Sequence, residues 1–323
     1  MSFLILTLFG IFEAYLRATI PKSSGESIFT YTMDTKRYKL MKKDATIIAW
    51  GEELHTDELG FRDDKTIVPE KRSDEFRVIV LGDSFTVSAG VSFDSIYTTL
   101  LEKKLQKQFK NVEVINLAVA GYNIVQYELV LNEIALDLEP DLILVSVFPT
   151  NDFSMTTYDK NYHVAKGDAV KQEDISWFKK SYVYRAFLWR VESKVKGLFA
   201  KPVKNESQIA DAKKESERGW TENLAALSRI LDTAEQNNIP AVVTLLPDSW
   251  GYEAQHKSID RIKAYLADRN VEPIVLLYPF IESGIKEPEL RVNLLDSHPN
   301  KQYHILVSEA LMPHLTKIIS ESK

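Results

Sequence analysis

With 323 residues, 45% of them hydrophobic, the chain is long enough to bury a full core as one large domain or two small ones. Its net charge of −6 argues against a general nucleic-acid binder, and the absence of cysteine excludes disulfides, thiolate metal sites and a cysteine nucleophile. The six histidines are scattered without HExxH or another close ligand pairing, so neither a metal nor a cofactor is expected.

The chain opens MSFLILTLFGIFEAYLRATIPKSS. Residues 3–12 carry no charge before Glu13 and Arg17 interrupt, a run well short of the roughly 20 residues that span a bilayer. No basic segment leads in, and no small-x-small cleavage site precedes Pro21. Residues 1–20 are read as an uncleaved anchor; a truncated signal, an interfacial helix and a helix packed on the domain are the alternatives. The anchor reading places the protein at a membrane of the cell envelope, in an orientation that Arg17 and Lys22 leave open. Residues 21–74 are polar and mixed, and are read as an irregular extension leaning on the domain that follows.

From Phe76 strands and helices alternate. Residues 76–91, FRVIVLGDSFTVSAGV, begin with a β-branched run suited to a strand buried on both faces. Gly82 and Asp83 break it, and Ser84 stands at the turn. Ile96, Tyr97, Leu100, Leu101, Leu105 and Phe109 then recur at helical spacing. A second strand, residues 112–119, ends in Ala120-Gly121-Tyr122-Asn123, and a second helix carries Val125, Leu129, Ile134 and Leu138. A third strand, residues 141–147, is stopped by Pro149-Thr150-Asn151-Asp152.

Residues 153–220 interrupt the pattern with a charged stretch that shows no sheet strand, read as a helical insertion. Residues 179–204 hold eight basic residues against one acid, interleaved with aromatics at helical spacing. Such a helix suits a membrane surface or a partner, and equally a solvated helix packed by its aromatic stripe. Thr221 then reads as the N-cap of a helix bearing Leu224, Leu227, Ile230, Leu231 and Ala234. Residues 239–246 form a fourth strand, residues 258–266 a helix, and residues 273–278, PIVLLY, a fifth strand. A last helix begins near Pro299.

Five strands separated by helices predict an α/β fold, a flavodoxin-like three-layer α/β/α sandwich on a parallel sheet of order 2-1-3-4-5, spanning residues 75–323. In that order the loops after strands one, two and three open side by side at the switch point, presenting Ser84, Gly121 and Asn151. A serine after a strand is also a common turn former or helix cap. As a nucleophile it needs an imidazole within about 3 Å to take its proton. His298, in Asp296-Ser297-His298-Pro299-Asn300, is the candidate. In an extended loop Asp296 and His298 point the same way with Cβ atoms about 6–7 Å apart, close enough for the carboxylate to hold the ring. In a curled loop a backbone carbonyl would have to do so.

GDSF at 82–85, AGYN at 120–123, PTND at 149–152 and DSHPN at 296–300 resemble, in order and spacing, the four blocks of the SGNH/GDSL hydrolases. The similarity runs from about Phe76 to the C-terminus, and ELGFRDD at 58–64 resembles a lead-in of membrane-anchored members. The resemblance implies Ser84 as nucleophile and His298 as base. It also implies the amides of Ser84 and Gly121, with the Asn151 side chain, as oxyanion donors. The expected activity is ester hydrolysis, the removal of short acyl groups from a carbohydrate or similar ester. An O-acyltransferase with the same residues and an idle binding module at the membrane are the alternatives. The expected partners are a small-molecule or glycan ester and, through residues 1–20 and 179–204, a membrane. Asp83 and Asp152 are assigned to loop-fixing hydrogen bonds, His304 to structure, and Tyr122 and Asn123 to the pocket lining.

Overall fold

Before the main sheet begins, the chain makes two short antiparallel ladders. β1 (Phe29–Tyr31) pairs with β2 (Lys39–Met41), and β3 (Thr46–Ala49) with β4 (Glu52–His55). The computed structural model describes residues 2–31, 39–63, 67–153, 181–185, 206–249 and 251–322. The stretch expected to be irregular is therefore partly ordered as hairpins. Ile28, Met41, Leu54, Phe61 and Ile67 are buried in the same apolar cluster as one face of the main sheet. Apolar side chains alternating with turn residues supply the reason: each hairpin has one face to bury.

The main sheet contains β5 (Phe76–Leu81), β6 (Val112–Asn116), β7 (Leu142–Val147), β8 (Ala241–Leu245) and β9 (Ile274–Val275). Its order is β6-β5-β7-β8-β9 and every pairing is parallel. Counted along the chain this is 2-1-3-4-5, the expected doubly wound arrangement. All six residues of β5 and of β7 are buried. Successive side chains serve opposite faces, as the pleat requires. Ile79, Leu81, Ile143 and Val145 meet the helices over Ile124–Val130, Glu206–Gln236 and His256–Ala267. Val78, Val80, Leu142 and Leu144 meet those over Tyr97–Leu105 and Lys301–Glu321.

Three local expectations are corrected. The fifth strand is only Ile274–Val275, because residues 277–282 turn into a helix whose first turn accommodates Pro279 without a lost hydrogen bond. β6 stops at Asn116, and Leu117 and Val119 continue alongside β5 through single bonds to Val80 and Gly82. Thr221 is not a cap. It lies within the long helix Glu206–Gln236, where its hydroxyl donates back to the Glu217 carbonyl at 2.9 Å.

The apolar N-terminus is helical over Ser2–Thr19, and among the described residues no helix is long and apolar enough to cross a membrane. Glu13 has a structural partner. Its carboxylate accepts from the Ser181 hydroxyl at 2.7 Å and the amides of Tyr182 and Val183 at 3.0 and 2.9 Å. Burial opposes its charge, but these donors and Arg17 outweigh it and hold its pKa below the usual value. Leu16, Ile20 and Val183 form a small apolar cluster against which Trp50, Tyr182 and Leu295 pack. Of the expected insertion, residues 154–180 and 186–205 lie outside the described residues, and so does the basic segment 179–204 except for 181–185.

Candidate active site

The loop after β5 is fixed by its own sequence. Gly82 lets Thr86 approach so closely that a Cβ at position 82 would lie 2.8 Å from the Thr86 Cβ. Asp83, fully buried, caps the short helix Ser84–Val87 by accepting from the Phe85 amide at 2.8 Å. Its second oxygen accepts from the Asn151 side-chain amide at 3.2 Å. Below the turn, Phe85 stacks on Phe148 with ring centroids 3.8 Å apart and meets Tyr303 edge-on. Thr86, Tyr97 and Ser146 form a buried hydroxyl chain with links of 3.0 and 2.7 Å.

Residues 53–62, read from the sequence only as leaning on the domain, reach this loop. Arg62, fully buried, donates to the carbonyls of Val87, Ser88 and Val91 at 2.6, 2.7 and 2.5 Å. A planar guanidinium with five fixed donors suits three convergent carbonyls. The ELGFRDD block thus clamps the chain that follows Ser84. In the sequence this block stood out through its resemblance to a family lead-in, and through a charged residue flanked by an aromatic in a turn-rich stretch.

The loop bearing His298 is a hairpin of β10 (Arg291–Asn293) and β11 (Asp296–Pro299). Because Asp296 begins an extended strand, its carboxylate and the His298 ring fall on one side. Asp296 Oδ1 lies 2.6 Å from His298 Nδ1 and also accepts from the His298 amide at 2.9 Å. The other ring nitrogen, Nε2, lies 3.0 Å from Ser84 Oγ. Asn293 Oδ1 holds the turn through the amides of Leu295 and Asp296, and Ser249 Oγ donates to the Ser297 carbonyl at 2.6 Å. The extended rather than curled loop is the one in which the acid two residues away reaches the ring.

Electrostatics follow from this geometry. For His298, burial opposes the imidazolium, but the hydrogen bond and charge of Asp296, helped by the charge of Asp83, raise its pKa above 6.5. For Asp296, burial opposes the carboxylate, but His298 and the Trp50 indole outweigh it and keep its pKa low. Trp50 is a second residue that sequence reading missed. Its Nε1–H donates to Asp296 Oδ2 at 2.5 Å.

Gly121 has φ +80°, a conformation that favours glycine, in the turn after β6. The Val119 amide donates to the Gly82 carbonyl at 3.1 Å, which brings this turn beside the end of β5. Asn151 lies in a turn held by Asp152, whose carboxylate accepts from the Phe148 amide at 2.8 Å and the Tyr127 hydroxyl at 3.0 Å. Asp83 and Asp152 therefore fix loops, as expected. Tyr122 and Asn123, both buried, are not among the residues that line the cavity at Ser84, and Asn123 forms a capping box with Gln126. His304 is fully buried, accepts from the Tyr97 amide at 3.3 Å, and has its pKa pushed down to about 3 by burial and by Arg62.

A cavity of about 290 Å³ opens at Ser84 and His298. A larger one, about 520 Å³, lies at the amino-terminal ends of β5 and β6, among Glu70, Arg72, Glu75, Arg77 and Glu113. Its central cation, Arg77, is paired with Glu75 and Glu113, and it is remote from Ser84. The smaller cavity is the one of the two lined by Ser84, Asp296 and His298.

No family model matches the chain, and no curated protein matches it either. Several solved structures resemble it at low identity. An acetylxylan esterase from Geobacillus stearothermophilus shares 13% identity at a TM-score of 0.45, over 76% of this chain and 96% of that one. TesA shares 13% at 0.45, over 75% and 99%. A psychrotrophic esterase, EstA, from Pseudoalteromonas sp. shares 13% at 0.44, over 76% and 100%.

Proposed function

We propose that the chain is a serine ester hydrolase of the SGNH/GDSL type, acting on an acyl ester of a carbohydrate or similar small alcohol. The observation that carries this reading is the line from Asp296 through His298 to Ser84, with links of 2.6 and 3.0 Å. Ser84 Oγ attacks the acyl carbon while its proton passes to His298 Nε2. Asp296 keeps the proton on Nδ1, so that Nε2 is the accepting nitrogen, and stabilises the imidazolium once formed. The tetrahedral oxyanion is met by the amides of Ser84 and Gly121 and by the Asn151 carboxamide, which Asp83 orients. His298 then returns its proton to the departing alcohol, leaving an acyl group on Ser84. Water, deprotonated by the same imidazole, releases the acid and restores the serine.

The test is turnover of p-nitrophenyl acetate together with covalent labelling by a fluorophosphonate. Steady nitrophenol release without an added acceptor, and a label on Ser84, are expected. Release that needs an acceptor sugar would make the chain a transferase. No release and no label would overturn the reading.

A place at the cell envelope is part of the same proposal. It is supported by the exposed apolar side chains Leu8, Ile11, Phe12 and Tyr15 on the N-terminal helix. Co-sedimentation of the full chain with anionic liposomes tests it. A chain that stays in the supernatant at low salt would remove the membrane from the reading.

A further inference from the structure

Half of the residues that line the cavity beside Ser84 precede the sheet. Ile28 immediately precedes β1 and Phe29 begins it, while Ile47 and Leu54 come from the β3–β4 hairpin. Ile47 and Leu54 are direct cross-strand partners, so both side chains leave the hairpin on one face. Val87 follows Ser84 by three residues in the same short helix and lies on the same side of it. Ala89 and Ala120 complete the wall. The polar residues of the lining are Ser84, Asp296 and His298, together with Glu26 and Ser27, which are exposed and form a rim.

We infer that this cavity is the acyl subsite, and that it selects a straight aliphatic acyl chain of about six to eight carbons rather than acetyl, taking a water-sized group as about 30 Å³. The inference rests on the ester hydrolase reading and goes beyond it by naming the acyl class. A sugar or other polyol placed against Ile28, Phe29, Ile47 and Leu54 would lose its water without gaining partners, whereas an alkyl chain loses nothing there. At that unit volume, 290 Å³ holds on the order of eight to ten heavy atoms, several more than an acetyl group supplies. The alcohol then lies outside, past the rim. The short acyl group expected from the sequence is thereby lengthened, because the β3–β4 hairpin adds an apolar wall beside Ser84. That wall is visible only in three dimensions.

The experiment is a p-nitrophenyl ester series from acetate to palmitate, run on the full chain, on Ile47→Trp and on Leu54→Phe. The leaving group is constant, so any trend belongs to the acyl side. For the unsubstituted chain kcat/KM should rise up to about fourfold per methylene, as burial of one CH₂ allows, and stop rising near octanoate. In either substituted chain the octanoate-to-acetate ratio should fall at least tenfold. Octanoate should also bind the chain at least tenfold more tightly than butyrate by titration calorimetry, a readout that needs no turnover.

A flat or falling profile, or an unchanged ratio in both substituted chains, would overturn the acyl assignment while acetate turnover kept the hydrolase reading. Binding of octanoate by a chain that hydrolyses none of the esters would do the reverse, removing the hydrolase reading and leaving an alkyl pocket.

Discussion

The indole of Trp50 donates to Asp296 across 246 positions of sequence, and it does so from a turn that tryptophan rarely occupies. Trp50 and Gly51 join β3 to β4, and their φ values of 51° and 86° are both left-handed. Such turns ordinarily hold Asn-Gly, and a bulky side chain in that region costs about 1–2 kcal/mol. Gly90 gives the ring room, since a Cβ there would lie 3.1 Å from Trp50 Cδ1. The strain is offset by packing against the N-terminal cluster and by the hydrogen bond to a carboxylate.

Trp50 is therefore expected to act as a positioning residue for Asp296. Trp50→Phe keeps a ring and removes the donor, and a hydrogen bond to a charged group contributes about 1.5–3 kcal/mol. The expected outcome is a kcat lowered about tenfold or more with KM unchanged. Steady-state kinetics on a p-nitrophenyl ester check it. An unchanged kcat would confine Trp50 to packing.

Ser84→Ala and His298→Ala should each abolish ester hydrolysis while the near-ultraviolet circular dichroism stays native. Because the two groups act as one unit, the double substitution should cost no more than either alone. Additive losses in residual rate would contradict the shared proton transfer implied by their 3.0 Å contact.

The pH profile carries the sign of the His298 shift. The base must be neutral to accept the serine proton, and its pKa is raised above 6.5, so the acid limb of kcat/KM should lie above pH 6.5. Asp296→Asn removes the group that raises it and leaves the burial that lowers it. The acid limb should then move to lower pH, while kcat falls by about 10²–10⁴-fold. A limb that does not move would mean that another group titrates.

Asn151→Ala should slow turnover by roughly 10²–10³-fold, the usual cost of one oxyanion donor, without changing the acyl-length preference. Pre-steady-state release of nitrophenol separates this from a loss of fold. A burst amplitude equal to that of the unsubstituted chain with a slower rate is the expected result.

Arg62→Met should destabilise the fold by about 3 kcal/mol, because three buried carbonyls lose a charged donor together. Urea unfolding followed by tryptophan fluorescence measures this. Activity below the urea transition should fall as well, since the chain just after Ser84 loses its clamp.

What the sequence by itself determined was local in origin. The buried runs at 76–81 and 142–147 could only be two-sided strands, and regular alternation with amphipathic helices left few arrangements beyond the order 2-1-3-4-5. That order brings the ends of β5, β6 and β7 together, and with them the loops that carry Ser84, Gly121 and Asn151. Asp296 and His298 could be paired because two residues in an extended strand share a side. What only the tertiary structure decided were contacts between segments far apart, whose partners no local pattern specifies. Trp50 meets Asp296, Arg62 meets the carbonyls after Ser84, Glu13 meets residues 181–183, and the β3–β4 hairpin walls the cavity. Each joins groups far apart in the chain, and neither a period of 3.6 nor one of 2 says which distant segment a side chain will meet. The fold was therefore legible from repeating patterns, while the depth of the site and the fixing of its acid depended on single long-range contacts.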